Sequence, residues 1–148
     1  MNVALIHGPN LNWLGRREPE VYGTLSLADI EQSLRTAAQA AGHALETHQD
    51  ASEGGLVRIL QAVARTSQAV IFNPGGFSHT SVALRDAVAA MPIPVVEVHL
   101  SNIHAREGFR RRTLTGSAAT ACISGLGLDG YLAALNHLIA PGQGDSMR

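Results

Sequence analysis

The chain has 148 residues, of which 45% are hydrophobic and 16% are charged, and its formal net charge at pH 7 is −1. This length and composition predict one globular domain with a real apolar core and exclude a disordered chain. The small net charge excludes a general electrostatic attraction to nucleic acid or to membrane surfaces, so we expect neither as a partner.

Lysine and cysteine usage narrows the possible chemistry. All eleven basic residues are arginine, so the chain can form neither a lysine Schiff base nor the lysine-containing loop of P-loop proteins. Cys122 is the single cysteine. No disulfide can therefore form within the chain, and we expect a cytoplasmic protein. No apolar run approaches the length of a membrane span, and the first residues lack the basic start of a signal peptide.

Short β-branched runs alternate with helical patterns along the chain. The first helical series runs from Leu27 to Ala41, with Ser26 as its N-cap and Asp29 three residues later, and further series lie near 56–63, 83–91 and 131–139. This alternation predicts an α/β protein with a flavodoxin-like, doubly wound, five-stranded parallel sheet in the order 2-1-3-4-5. We expect a single domain over 1–140 and a flexible tail over 141–148. The predicted strands are 2–7, 43–48, 69–73, 94–99 and 118–123.

Polar, turn-forming segments follow the first, third and fourth predicted strands. They are residues 8–12, 73–81 and 97–102. Ligands of doubly wound sheets bind beyond the carboxyl ends of the strands, near the point where the strand order reverses. We therefore expect these three segments to form one cleft.

Glu97 and His99 are the strongest acid–base candidates in this cleft. Residues two apart in a strand project from the same face, and a carboxylate beside an imidazole fixes its tautomer and favours its protonated form. The alternative is a solvated or capping pair at the end of a strand. The histidines form no H-x-H or H-E-x-x-H pattern, so we expect no metal.

The loops after the third and fourth strands suggest anion recognition. Gly75 and Gly76 allow close approach of the backbone, although an ordinary strand-to-helix turn would look the same. Thr80 stands where a nucleophile elbow needs glycine, which argues against a serine hydrolase. Arg106 and Arg110 lie four residues apart, as expected either for anion recognition or for a basic subunit contact.

The loop of residues 15–23 contains Tyr22 among charged residues. A tyrosine side chain, with a reference pKa of about 10, is a poor base unless cations stabilise the phenolate. Arg16 and Arg17 precede Tyr22 closely enough to supply such a cation. A tyrosine that only anchors a mobile loop is the alternative.

Four segments, taken together and in this order, resemble the type II 3-dehydroquinate dehydratases: G-P-N-L-N, R-R-E-P-E-V-Y-G, N-P-G-G-F-S-H-T-S-V-A-L-R-D-A and E-V-H-L-S-N-I-H-A-R-E. The resemblance covers residues 2 to about 138. It implies a flavodoxin-like enzyme that reversibly dehydrates 3-dehydroquinate to 3-dehydroshikimate without metal or cofactor. The chain departs from the usual family pattern at His7, over 48–55 and at Gly108.

The resemblance also implies the catalytic roles. Tyr22 would be the base that removes a proton next to the ketone, and Arg17 would hold it as a phenolate. Asn10 would orient a water that stabilises the enolate. His99, oriented by Glu97, would protonate the leaving hydroxyl.

The substrate-binding roles follow from the same resemblance. Asn73 and the backbone amides of Leu100 and Ser101 would hold the substrate carboxylate, while His79 and Arg110 would contact the ring hydroxyls.

Asp86 would reach the ring hydroxyls from a neighbouring subunit. Family members assemble as trimers grouped into dodecamers, so the resemblance implies a homo-oligomer whose interface completes the site.

Two other functions fit the predicted fold less well. A flavin- or nucleotide-binding module needs aromatic stacking residues, for which only Trp13, Tyr22 and Phe77 are available in the binding loops. A receiver-type signalling domain needs a phosphoacceptor aspartate at the end of the third strand, where Asn73 stands.

Overall fold

The computed structural model describes residues 1–16 and 18–142. Within this part of the chain, five parallel strands form one sheet in the order β2-β1-β3-β4-β5. The predicted fold class and strand order are thereby confirmed. The strands are β1 (Asn2–His7), β2 (Ala44–Gln49), β3 (Ala69–Asn73), β4 (Val95–His99) and β5 (Ala121–Ser124).

Helices cover both faces of the sheet. Val3 and Leu5 pack on one face, in a cluster with residues of α2 and α5. Ala4 and Ile6 pack on the other, with residues of α3 and α4. Every residue of β3 and β4 is buried, as expected for central parallel strands. The helices are α1 (Pro19–Tyr22), α2 (Leu27–Ala40), α3 (Glu53–Thr66), α4 (Val82–Ala89) and α5 (Leu128–Ile139).

Serine N-caps mark where α2, α3 and α4 begin. Ser26 accepts a hydrogen bond from the Asp29 amide, and the Asp29 carboxylate accepts one from the Ser26 amide. This capping box confirms the predicted start of α2. The Ser52 and Ser81 hydroxyls cap α3 and α4, each accepting from an amide three residues later.

The clearest differences from the predicted secondary structure lie in two segments. Residues 15–23 were expected to contain no helix, but Pro19 begins the single turn of α1, because its fixed φ suits the first helical position. The fifth strand begins at Ala121 rather than at 118, since the Ala118 and Ala119 amides donate to the Thr115 carbonyl in a turn. None of the described helices is long and apolar enough to cross a membrane.

Candidate active site

A cleft opens where β1, β3 and β4 end, with a cavity volume of about 150 Å³. Parallel strands bring the loops that follow them to one edge of the sheet, as the sequence predicted. Seven of the predicted site residues line this cleft: Asn10, Asn73, His79, His99, Leu100, Ser101 and Arg110.

The first two loops of the cleft touch through their backbones. The Gly8 amide donates to the Asn73 carbonyl at 2.8 Å, and a Cβ on Gly8 would lie only 2.4 Å from the Pro74 carbonyl oxygen. Asn10 follows with a φ of 70°, in the left-handed region that asparagine tolerates better than most residues. The close contact therefore requires glycine at position 8 and sets the backbone at Asn10 against the cleft.

Glu97 and His99 form a hydrogen-bonded pair in which His99 lines the cleft and Glu97 lies behind it. Both are buried, and Nε2 of His99 lies 2.6 Å from Oε1 of Glu97. An ionised carboxylate only accepts hydrogen bonds, so Nε2 is the donor. This leaves Nδ1 as the ring nitrogen that can exchange a proton with a ligand.

Two threonine hydroxyls hold the Glu97 carboxylate in place. Thr113 donates to Oε1 at 2.7 Å and fully buried Thr115 donates to Oε2 at 2.5 Å. Thr113 is itself fixed by the Gly116 amide, which donates to its hydroxyl at 2.9 Å. With the His99 N–H, the buried carboxylate accepts hydrogen bonds from three donors.

His79 stacks on His99 inside the cleft, with ring centroids 6.1 Å apart and an interplanar angle of 25°. Its Nδ1–H donates to the Arg112 carbonyl at 2.8 Å. Burial lowers the pKa of His79, and the nearby His99 and Arg110 lower it further, against the opposing effect of the Arg112 carbonyl. A neutral ring with its proton on Nδ1 leaves Nε2 as an acceptor for a ligand hydroxyl.

Asn73 has its amide orientation set by the core. Its Nδ2 donates to the hydroxyl of Tyr131 at 2.8 Å, and its Oδ1 accepts from the Gly75 amide at 3.0 Å. Tyr131 is fully buried, and burial raises its pKa, so the hydroxyl stays protonated. One N–H of the Asn73 amide is then left to donate to an anion.

Arg106 and Arg110 give the cleft its positive charge. Arg110 donates from Nε to Glu107 at 2.6 Å and lies over the Phe109 ring, 5.0 Å from its centroid. Arg106 donates from Nη1 to the Ser101 hydroxyl at 3.4 Å. Hydrogen bonding lowers the pKa of Glu107, first from its own backbone amide and then from Arg110. Of the two interpretations for these arginines, their position in the cleft favours anion recognition.

One group of possible metal ligands occurs among the described residues: Glu97, His99 and Cys122, whose ligand atoms all lie within 4.8 Å of one another. Spacing along the chain gave no sign of it, because Cys122 reaches the pair only through the pairing of β4 with β5. Burial, with a smaller contribution from the Glu97 charge, raises the pKa of the Cys122 thiol to about 11.

A family model described as dehydroquinase class II matches residues 1–139. The chain belongs to this family.

Individual relatives are similar to this chain in sequence and in fold. The 3-dehydroquinate dehydratase of Desulforudis audaxviator is 53% identical over 135 residues, covering 91% of this chain and 90% of that protein. The 3-dehydroquinate dehydratase of Acinetobacter baylyi is 52% identical over 138 residues, or 93% of each chain. The crystal structure of type II dehydroquinase from Butyrivibrio crossotus superposes with a TM-score of 0.92 at 33% identity, covering 95% of this chain and 98% of that one.

Among the described residues predicted from the dehydroquinase resemblance, Asp86 does not line the cleft of its own chain. Asp86 lies on α4 with 68% of its side chain exposed, and it pairs with Arg85 at 3.5 Å. Arg17 and the side chain of Tyr22 lie outside the described residues, although the backbone of Tyr22 ends α1.

Sequence patterns predicted no site role for Thr113, Thr115 or Tyr131. The first two lie between predicted elements, and Tyr131 fits the apolar period of α5. A usable signal existed only for Tyr131, since a tyrosine in a core face needs a partner for its hydroxyl.

Proposed function

We propose that the chain catalyses the reversible dehydration of 3-dehydroquinate to 3-dehydroshikimate. Membership of the dehydroquinase class II family and relatives about half identical in sequence support this activity. The observation that carries the proposal is the buried Glu97–His99 pair at the edge of a cleft with anion-binding groups.

His99 is the general acid of the proposed reaction. Glu97 accepts a hydrogen bond from Nε2–H and stabilises the imidazolium, so the proton on Nδ1 can be delivered to the departing hydroxyl, which leaves as water. The two threonine hydroxyls support this role because they hold the Glu97 carboxylate in its orientation toward His99.

Tyr22 is the proposed base, acting as a phenolate stabilised by Arg17. It removes the proton from the carbon next to the ketone, and the electron pair moves to the ketone oxygen as an enolate. Asn10, in the loop that faces the cleft, orients the water that donates to this oxygen. The assignment of Tyr22 and Arg17 rests on their place in the R-R-E-P-E-V-Y-G segment and on the chemical need for a cation beside a tyrosinate base.

Substrate binding uses the groups that line the cleft. The free N–H of Asn73 and the backbone amides of Leu100 and Ser101 hold the carboxylate. Nε2 of His79 accepts from a ring hydroxyl, and Arg110 donates to another.

Asp86 completes this set from a neighbouring subunit in the proposed trimer-based dodecamer. Its exposed position on α4, away from its own cleft, supports a role across an interface. We further propose a cytoplasmic location, which the free thiol of Cys122 supports.

The direct test is an ultraviolet assay for the conjugated enone product, with 3-dehydroquinate as substrate. His99→Asn should lower kcat by roughly 10²- to 10⁴-fold, the usual contribution of a general acid. His137→Asn, on the exposed side of α5, is the matched control and should retain full turnover. Activity should survive borohydride added with substrate, since the chain has no lysine, and it should survive EDTA. No enone from the unmodified protein would refute the proposed reaction.

A further inference from the structure

Cys122 lies beside the proposed acid pair, although the proposed reaction gives it no role. In the parallel register of β4 and β5, Cys122 pairs with Glu97, and the ligand atoms of Cys122, Glu97 and His99 lie within 4.8 Å of one another. We propose that these three side chains bind a thiophilic divalent cation such as Zn²⁺ and that its binding inhibits the enzyme. The inhibitory part rests on the proposed role of His99.

The ligand set suits zinc. Imidazole nitrogen, carboxylate oxygen and thiolate sulfur are its usual protein ligands, and three of them with one water form the open type of zinc site. Bond lengths of about 2.0 Å to nitrogen or oxygen and about 2.3 Å to sulfur place tetrahedral ligand atoms roughly 3–4 Å apart. Ligand atoms that already lie within 4.8 Å of one another need only small shifts to reach these separations, with Nε2 of His99 and Oε1 of Glu97 moving apart from their 2.6 Å contact.

The surroundings of the cluster already contain the support that such a site requires. Ligating carboxylates are normally held by further hydrogen bonds, and Glu97 receives them from Thr113 and Thr115. Cys122 is exposed and lies on β5, the last strand of the sheet. The cluster therefore meets solvent through Cys122 at the β5 edge of the sheet.

Binding of Zn²⁺ changes where the protons of Cys122 and His99 lie. The S–H bond of Cys122 breaks as the metal–sulfur bond forms, and that proton goes to solvent. The single proton of a neutral His99 ring moves to Nδ1 as Nε2 binds the metal. Glu97 then binds the cation instead of the ring N–H, so it no longer supports an imidazolium, and His99 cannot deliver its proton to the leaving hydroxyl.

The test compares Zn²⁺ inhibition of the unmodified enzyme and of Cys122→Ala. Zn²⁺ should inhibit the unmodified enzyme reversibly, with activity restored by EDTA. Cys122→Ala should keep the basal turnover and need at least about tenfold more Zn²⁺ for half inhibition, since loss of an outer-shell partner alone costs 10- to 100-fold in metal affinity. Titration with Co²⁺ should give a sulfur-to-metal absorption band that Cys122→Ala lacks.

A second variant distinguishes Zn²⁺ inhibition through this site from inhibition through another histidine. His48 and Glu46 form another such pair, 3.8 Å apart on β2, so His48→Gln should leave Zn²⁺ inhibition unchanged. Equal inhibition of Cys122→Ala and the unmodified enzyme, or a Co²⁺ spectrum without the sulfur band, would overturn the proposed site. The former result would place the inhibitory cation elsewhere, such as between His79 and His99 in the cleft.

The metal and activity readouts distinguish failure of this proposal from failure of the proposed function. A Cys122-dependent Co²⁺ band in a protein that does not convert 3-dehydroquinate would support the site and refute the reaction. Cys122-dependent Zn²⁺ binding without loss of turnover would also support the site, but it would overturn the inhibition and contradict His99 as the acid.

Discussion

Replacing Thr115 with valine tests whether the threonine hydroxyls that donate to Glu97 support His99 as the proposed acid. Thr115 is fully buried, and its hydroxyl, at 2.5 Å, donates to Oε2 of Glu97, whereas Oε1 receives both the His99 N–H and the Thr113 hydroxyl. Valine has nearly the same shape but cannot donate. The substitution therefore leaves the buried Oε2 without its hydroxyl donor.

The size of the effect follows from that contact. A hydrogen bond to a charged group contributes about 1.5–3 kcal/mol, and a buried charge that loses its donor costs at least as much. We expect Thr115→Val to lower the free energy of unfolding by about 2–3 kcal/mol. Turnover should also fall, because Glu97 is less firmly held against His99.

Thr115→Ser is the matched control, since it keeps the hydroxyl and loses only a buried methyl group. It should cost about 1 kcal/mol of stability, the usual price of one such group, with turnover close to that of the unmodified enzyme. Urea denaturation at one fixed protein concentration gives the stabilities, and the enone assay gives kcat. Equal stability and equal kcat for the valine and serine variants would refute a supporting role for the Thr115 hydroxyl.

Three further predictions concern binding, the base and pH. Tyr131→Phe removes the hydroxyl that orients Asn73, so KM should rise by about 2- to 10-fold with a smaller change in kcat; an unchanged KM would show that the Asn73 orientation does not matter for binding. Tyr22→Phe should lower kcat by roughly 10²- to 10⁴-fold with similar substrate affinity, and near-normal turnover would exclude Tyr22 as the base. Because burial lowers the pKa of His79, the unfolded chain binds this proton more readily than the folded one. The stability contributed by neutral His79 is therefore present above its ordinary pKa of 6.5 and is lost as the pH falls through the lowered value. We expect the free energy of unfolding, measured by urea titration at pH 7 and pH 5, to fall less on acidification for His79→Asn than for the unmodified protein. Equal falls in the two proteins would contradict the burial effect.

The fold was largely predictable because its signals are local. The apolar runs of β3 and β4 identify central parallel strands, and the Ser26–Asp29 capping box begins α2 wherever the helix packs. Strand order and crossover handedness then bring the ends of β1, β3 and β4 together, so the cleft position could be inferred before its geometry. The start of β5 was less predictable, because turn hydrogen bonds compete with the strand for the amides near Ala118.

The sequence by itself determined the fold, the position of the cleft and the Glu97–His99 pair, because a two-residue spacing in a strand places both side chains on one face. Only the tertiary structure decided what surrounds that pair. The Thr115 hydroxyl comes from 18 residues away in the chain, and the Tyr131 hydroxyl that orients Asn73 comes from 58 residues away. Cys122 reaches the pair through the register of β5 against β4. No local pattern encodes these contacts, because a hydroxyl or a thiol finds its partner only when packed elements bring the two within hydrogen-bonding or ligand distance.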